Sequence, residues 1–439
     1  MFNIKLSKTM RDVQWSFIGL ATSSLSHLLL RIVLGRELGP SGLGVYTLVF
    51  TIYMFGMQFA AFGISAALTK YVAEFGDDIT KKKEYISSGI IGSAITGSAM
   101  GLVLYLLSDI ISIGIFEMPE MSSLLKITAL CFPFIAIHKA VLGALNGFRS
   151  MKAFAFLDAA LNATVLLVSV FLVLSLDMNV IGAVLGFVIP TIILGLTSIL
   201  FVHSDLILPK RSFLQNDILM EIFHFGFYVV LGNSIGYIYT NIDSLMIGYY
   251  LNEANVGHYA VAAIFVQGIT LIPSAIQRVT SPIIAKSYAK KEYKSIVRLL
   301  KNATLKVLLI SLFSSLFLVF FGKILILTIF GDLFLPAYLP LIILLIGYTI
   351  YSTFMSIGTF YASIGYIKLT YKTALLSAIL NIVLNIVFIP RYGIIGAAMA
   401  TSTSLIVLTF IHFLIIRHFV KEVWGLNLIS NPSQKLDIT

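Results

Sequence analysis

The sequence predicts an all-α, polytopic membrane protein: about twelve transmembrane helices in two parallel six-helix repeats around a central cavity. Three observations predict it. The 439 residues are 58% hydrophobic and only 11% charged, outside the balance of a water-soluble domain. Apolar runs of about twenty residues recur along the whole length, each long enough to cross a hydrocarbon core as a helix. The stretch Leu34-Gly35-Arg36-Glu37-Leu38-Gly39-Pro40-Ser41-Gly42-Leu43-Gly44-Val45-Tyr46 returns, without a gap, as Ile247-Gly248-Tyr249-Tyr250-Leu251-Asn252-Glu253-Ala254-Asn255-Val256-Gly257-His258-Tyr259. Gly35 aligns with Gly248, Leu38 with Leu251, Gly44 with Gly257 and Tyr46 with Tyr259. In so apolar a chain, a duplication of this kind points to a transporter that opens and closes between two halves.

The spans are read at roughly 13–34, 44–68, 86–108, 122–144, 153–175, 179–202, 222–243, 254–276, 303–329, 338–362, 369–389 and 393–416. Spanning strands are excluded because barrel strands alternate polar and apolar residues, and these runs do not. Ahead of span 1 the chain is short, basic and polar (Lys5, Lys8, Arg11). The first apolar run lacks a small-residue cleavage site, so it reads as a retained span. The single Cys131 rules out an internal disulfide.

Lysine and arginine fall on alternate loops. One side holds Lys5, Lys8 and Arg11, then Lys70 and Lys81 to Lys83, Arg149 and Lys152, and Lys210 and Arg211. It also holds Arg278, Lys286, Lys290, Lys291, Lys294, Arg298 and Lys301, then Lys368 and Lys372, then Arg417, Lys421 and Lys435. The other side has little beyond Arg36, Lys126, Lys323 and Arg391. This bias places both termini in the cytoplasm of a cell-membrane protein. The net charge of +10 is thus a topology signal, and no nucleic-acid partner is expected.

Further short matches recur at the same step of each six-span unit. Lys82-Lys83-Glu84-Tyr85-Ile86-Ser87 after span 2 is similar to Lys290-Lys291-Glu292-Tyr293-Lys294-Ser295 after span 8. Asn146-Gly147-Phe148-Arg149 after span 4 is similar to Ile364-Gly365-Tyr366-Ile367-Lys368 after span 10, and Ile181-Gly182-Ala183 to Ile395-Gly396-Ala397. Six is an even number, so the two units share one orientation. The chain divides into an N-terminal half (1–202), a cytoplasmic linker (203–221), a C-terminal half (222–418) and a polar cytoplasmic tail (419–439).

The turn Leu34 to Tyr46 resembles the one found in polysaccharide biosynthesis membrane proteins of the O-antigen flippase type. So does Asp243-Ser244-Leu245-Met246-Ile247-Gly248 with Val256-Gly257-His258-Tyr259. Ser281-Pro282 and Ile389-Pro390-Arg391-Tyr392-Gly393-Ile394-Ile395-Gly396-Ala397-Ala398 are also similar to that family. It belongs to the superfamily of multidrug, oligosaccharidyl-lipid and polysaccharide exporters. The resemblance covers nearly the whole chain. It implies translocation of a polyprenyl-pyrophosphate-linked glycan from the inner to the outer leaflet. It also implies that membrane lipids are partners, with glycan-assembly enzymes as further candidates.

Ionisable residues inside spans are costly and therefore mark candidate sites. Arg31 lies near the outer end of span 1, where related lipid II flippases cluster cavity cations; the resemblance gives it the substrate pyrophosphate, bound by charge and forked hydrogen bonds. The bland alternative is snorkelling to the outer headgroups. The pattern's arginine in span 8 is missing here; the nearest positions are Ala262 and Ala263. Lys139 (span 4) and Asp158 (span 5) either pair across adjacent helices, or Lys139 faces the substrate entrance. Asp243 ends span 7 as a coupling residue or a turn cap. Arg278, at the inner end of span 8, is a phosphate acceptor or a positive-inside anchor. The midplane amides Gln58, Asn233, Gln267 and Asn385 either hydrogen-bond sugar hydroxyls or join helices. The basic stretch Lys286 to Lys301, interleaved with Tyr288, Tyr293, Ile296, Val297, Leu299 and Leu300, is expected to lie on the inner leaflet.

No Walker loop is present, so ATP is not the direct energy source. No metal-spaced His/Cys/carboxylate cluster and no nucleophile elbow occur, so no cofactor, metal or catalytic residue is assigned and the chain is read as a non-enzyme. A membrane glycan polymerase or glycosyltransferase would carry a substantial aqueous loop, which is lacking. A cation-coupled multidrug antiporter of the same superfamily is the closer rival. That mechanism usually needs a carboxylate deep in a half-bundle, and every Asp and Glu here falls near a span end or in a loop.

Overall fold

The computed structural model describes residues 8–206 and 217–426. Lys5, Pro209, Lys210, Arg211, Lys435 and most of the tail lie outside them. Every regular element among the described residues is helical. The long apolar runs leave only intrahelical partners for the backbone, and lipid supplies none.

The helices are α1 (Lys8–Ala61), α2 (Ile64–Glu74), α3 (Ile79–Asp109), α4 (Glu120–Ala129), α5 (Phe132–Gly147), α6 (Met151–Leu174) and α7 (Asn179–Ser198). There follow α8 (Asp217–Tyr250), α9 (Glu253–Ala289), α10 (Tyr293–Ile329), α11 (Tyr338–Met355), α12 (Phe360–Ser363) and α13 (Ile367–His418). Two are far longer than one crossing. The 54 residues of α1 break at Gly39 (φ 65°, ψ −172°), and the 52 residues of α13 break at Gly393 (φ 60°, ψ −141°). Glycine adopts that positive φ without the Cβ penalty. Pro40 directly after Gly39 has no N–H to return to the preceding turn but fits the first turn of the next helical arm.

Among the described residues nine helical stretches are long and apolar enough to cross a membrane, or ten if the bent pair α4 and α5, at 44°, makes one span. Two of the nine, Gln14–Glu74 and Lys368–Val423, run for 61 and 56 residues. They contain the Gly39 and Gly393 breaks. At about 1.5 Å per residue each is two to three times the length of a hydrocarbon core.

The chain forms two compact units, Met1–Gly257 and His258–Thr439. In the first, α1 runs along α6 and also touches α3, α5, α7 and α8. Its core is aromatic: Phe187 of α7 receives Tyr46, Phe50 and Tyr53 of α1 at centroid distances of 6.3, 5.7 and 5.1 Å. In the second, α11 packs on α13 and α10. The Ser402 hydroxyl of α13 donates to the Ile343 carbonyl of α11 at 2.6 Å. Asn385 donates to Asn381 and Asn381 to Thr401, each at 3.1 Å, so these buried amides join the two arms of α13. Tyr361 holds His412 by a 2.9 Å hydrogen bond, and the His412 ring stacks on Phe354.

Candidate functional site

Ser23, His27 and Arg31 are spaced by four along the first arm of α1, so they share one face. Opposite them, Asp158 and Asn162, again four apart, project from α6. The Ser23 hydroxyl donates to Asp158 Oδ2 at 2.9 Å. Asn162 Nδ2 donates to Ser23 Oγ at 2.9 Å and to the Asp158 carbonyl at 2.7 Å. His27 stands beside Asn162 and within electrostatic reach of Arg31, Asp158 and Lys139. The second arm of α1 covers it with Phe50, at 5.8 Å between ring centroids. A polar thread therefore runs between two helices of the first unit, every member half-buried.

Arg31 ends the thread. It is half-buried between the fully covered Leu30 and Leu34. Its electrostatic neighbours are the phenols of Tyr46 and Tyr237, and Tyr237 donates to the Thr51 carbonyl at 3.1 Å. Arg31 forms no ion pair; the pairs among the described residues are Lys70–Glu74, Lys126–Asp109, Arg149–Asp12 and Lys421–Glu422. A half-buried guanidinium lacking a carboxylate keeps its forked donors available for an anion, and phosphate matches that fork.

Of the two readings of Lys139, the pair with Asp158 is absent from the ion pairs of the described residues. Asp158 is already held by Ser23 across the α1–α6 interface, while Lys139 of α5 reaches the same neighbourhood only as a charge near His27 and His138. The structure brings Arg31, Lys139 and Asp158 into one neighbourhood around His27. Gln58 donates to the Met54 carbonyl of its own helix at 3.3 Å, and Asn233 is exposed on α8. Asp243 is buried near the end of α8. Gln267 and Arg278 belong to the second unit, where both are exposed on α9. The Asn385 amide donates to Asn381, one turn away in the same arm of α13.

Ser23, His27, Asn162 and Tyr237 were not singled out in the sequence, and Tyr46 was read only as a repeat position. The four-residue spacing that leads from Arg31 back to His27 and Ser23, and from Asp158 on to Asn162, puts each set on one helical face without saying which helix that face meets. Among the described residues no three His, Cys, Asp or Glu side chains are grouped to hold a metal ion.

Comparison with known proteins adds the lineage. A curated relative, the "Probable low-salt glycan biosynthesis flippase Agl15" of Haloferax volcanii, is 27% identical over 391 residues, covering 88% of this chain and 78% of the relative. The "Putative O-antigen transporter" of Shigella flexneri is 22% identical over 405 residues, covering 89% of this chain and 94% of the relative. The fold matches that of the lipid II flippase MurJ in an inward closed conformation, with a TM-score of 0.75 and 20% identity over 92% of this chain and 87% of that one. The MatE family model matches residues 229–387, and the polysaccharide biosynthesis protein model matches residues 9–288. With more than half its length matched by that model, the chain belongs to the polysaccharide biosynthesis protein family.

Proposed function

We propose that this protein is a flippase that moves lipid-linked oligosaccharide or polysaccharide repeat units from the inner to the outer leaflet by alternating access. Membership of a polysaccharide biosynthesis family and relatives named as a glycan flippase and an O-antigen transporter support the reading. The single observation that carries it in this chain is the Arg31 guanidinium, half-buried beside two phenols and without a carboxylate partner. In this reading Arg31 meets the pyrophosphate and Lys139 adds charge behind it. Gln58, Asn233, Gln267 and Arg278 are candidate contacts along the path, with Asp158 and Asp243 as structural or coupling residues.

The proposed topology has twelve crossings, obtained by counting each side of Gly39 and of Gly393 as one crossing and α4 with α5 as one. The proposed halves are residues 1–202 and 222–418, joined by 203–221 and followed by the tail 419–439, with both termini in the cytoplasm of the cell membrane. Membrane lipids and glycan-assembly enzymes complete the proposed partners.

A second reading, a cation-coupled antiporter, draws on the MatE match over residues 229–387 and on Asp158 being half-buried within a hydrogen-bonded thread. One experiment separates them. In vesicles without an ion gradient, purified protein is given polyprenyl-pyrophosphate-linked glycan, and the outward-exposed fraction is read by an impermeant glycosidase. Glycan translocation supports the flippase. Drug efflux under a proton or sodium gradient with no glycan translocation overturns it.

A further inference from the structure

A cleft of about 570 Å³ opens on the second unit between α10, α11 and α13. Its walls are apolar, with Leu305, Leu308, Ile350, Ile406 and Phe410 among them, and one charged side chain, Lys301, at the end nearest the start of α10. Leu305 and Phe410 are more than half exposed, so the cleft opens sideways to lipid.

The basic residues continue the same line. Lys294, Arg298 and Lys301 are spaced by four and three, which keeps them on one face of α10; Leu305 and Leu308 extend that face into the cleft. All three cations are exposed, and none forms an ion pair or a side-chain hydrogen bond among the described residues. Next to the strip, Tyr293 stacks on Trp424 with centroids 4.9 Å apart, and Tyr288 lies 6.0 Å from Tyr293. Such amphipathic aromatics settle at headgroup level. Lys301 lies about 12 Å further along the helix, where a flexible stem carries its ammonium back toward the interface.

We propose that this cleft is a binding site for an anionic glycerophospholipid, separate from the glycan path: the phosphate lies against Arg298 and Lys301, and one acyl chain fills the cleft. Charge complementarity and the change from basic to apolar along one helical face carry the assignment. The volume is of the scale of one small ligand and suits one acyl chain, not the much longer tail of a polyprenyl carrier. Binding does not depend on the glycan reading; only the assignment to the inner leaflet rests on the proposed orientation.

The test is native mass spectrometry of the full chain released from detergent with equal amounts of phosphatidylglycerol and phosphatidylcholine. The wild type retains phosphatidylglycerol in preference. Each of Lys294→Gln, Arg298→Gln and Lys301→Gln lowers that preference by up to about fivefold, and the triple variant abolishes it. Lys323→Gln, at the other end of α10, leaves it unchanged. Leu305→Trp, at an exposed position on the cleft wall, blocks the chain and lowers retention of the lipid while the charges remain. Equal retention of the two lipids, or a triple variant that behaves as wild type, overturns the proposal. Displacement of phosphatidylglycerol by undecaprenyl phosphate at equal concentration also overturns it, by giving the cleft to the tail of a carrier lipid.

Discussion

Gly44 and Gly257, equivalent positions in the two copies of the repeated motif, meet backbone to backbone. A Cβ on Gly44 would stand 1.7 Å from the Glu253 carbonyl oxygen and 3.0 Å from the Gly257 nitrogen, and one on Gly257 would stand 2.0 Å from the Pro40 carbonyl oxygen. The shared glycine is therefore a requirement of close approach on both sides. Small residues let helical backbones come this near where lipid gives no hydrophobic drive to association.

Gly44→Val and Gly257→Val are expected to force the two segments apart. Overpacking costs about 1–3 kcal/mol in tight sites, and backbone on the opposing side leaves little room to relax. Gly236→Ala is the counterpart: nothing lies within 4 Å of its Cβ, so it keeps or slightly raises stability, as alanine does inside a helix. Melting temperatures of the detergent-purified variants check both. A Gly44→Val protein that melts with the wild type would mean the approach is not constrained.

Substitution of Arg31 separates substrate binding from anchoring. Lysine keeps the charge but loses the fork, so transport is partly retained. Alanine loses both, for a fall of about tenfold to a hundredfold, the scale of a charge-assisted hydrogen bond at about 1.5–3 kcal/mol. Glutamate is worse because it repels pyrophosphate. Rescue of surface glycan in a flippase-deficient host, normalised to membrane level, gives the order. Wild-type export by Arg31→Ala would make Arg31 an anchor and move attention to Lys139.

The Ser23–Asp158 bond predicts coupling between α1 and α6. Ser23→Ala and Asp158→Ala should each destabilise, the first by about 0.5–1.5 kcal/mol. In the double variant the losses should not add, because the same contact is removed twice. Lys139→Ala, with no ion pair to Asp158, should add nearly independently. Thermal unfolding of the full double-mutant cycle measures it, and additive losses for Ser23 and Asp158 would count against the bond.

The proposed orientation is tested by cysteine labelling in a Cys131→Ser background. Cysteines at Lys81 and Lys290, both exposed, should be protected from an impermeant reagent in intact cells. Cysteines at Glu117 and Asn252, also exposed, should react. Labelling at Lys290 from outside would invert the topology.

The helices were legible in their apolar runs, and the breaks fall where those runs were read to stop. Gly39 falls in the turn read at Leu34 to Tyr46, and Gly393 opens the last span, just past the gap left at 390–392. Arg31 was legible because a charge in an apolar run stands out. The partner of Asp158 was not. In water a helix announces its buried face by amphipathicity, but here the lipid-facing and core-facing sides are equally apolar. On α10, Phe313 and Phe320 are among the most exposed residues, and Val307 is fully buried; nothing in their chemistry tells them apart. Which face of α1 meets α6 was therefore hidden, and with it the choice of Ser23 over Lys139.

The break at Gly39 also works as a depth gauge. Pro40 supplies no N–H, so the helical ladder loses a rung at that level, and hydrocarbon cannot replace it. Gly393 marks a second such level in the other unit. In the proposed twelve-crossing topology both breaks lie at membrane surfaces, and a bilayer thickened past either mark would bury backbone that only water or headgroups can solvate. Thickness then becomes a variable to which this chain responds at two defined residues. Lengthening the acyl chains of the host membrane should strain it first at Gly39 and Gly393, before the uninterrupted helices register any mismatch.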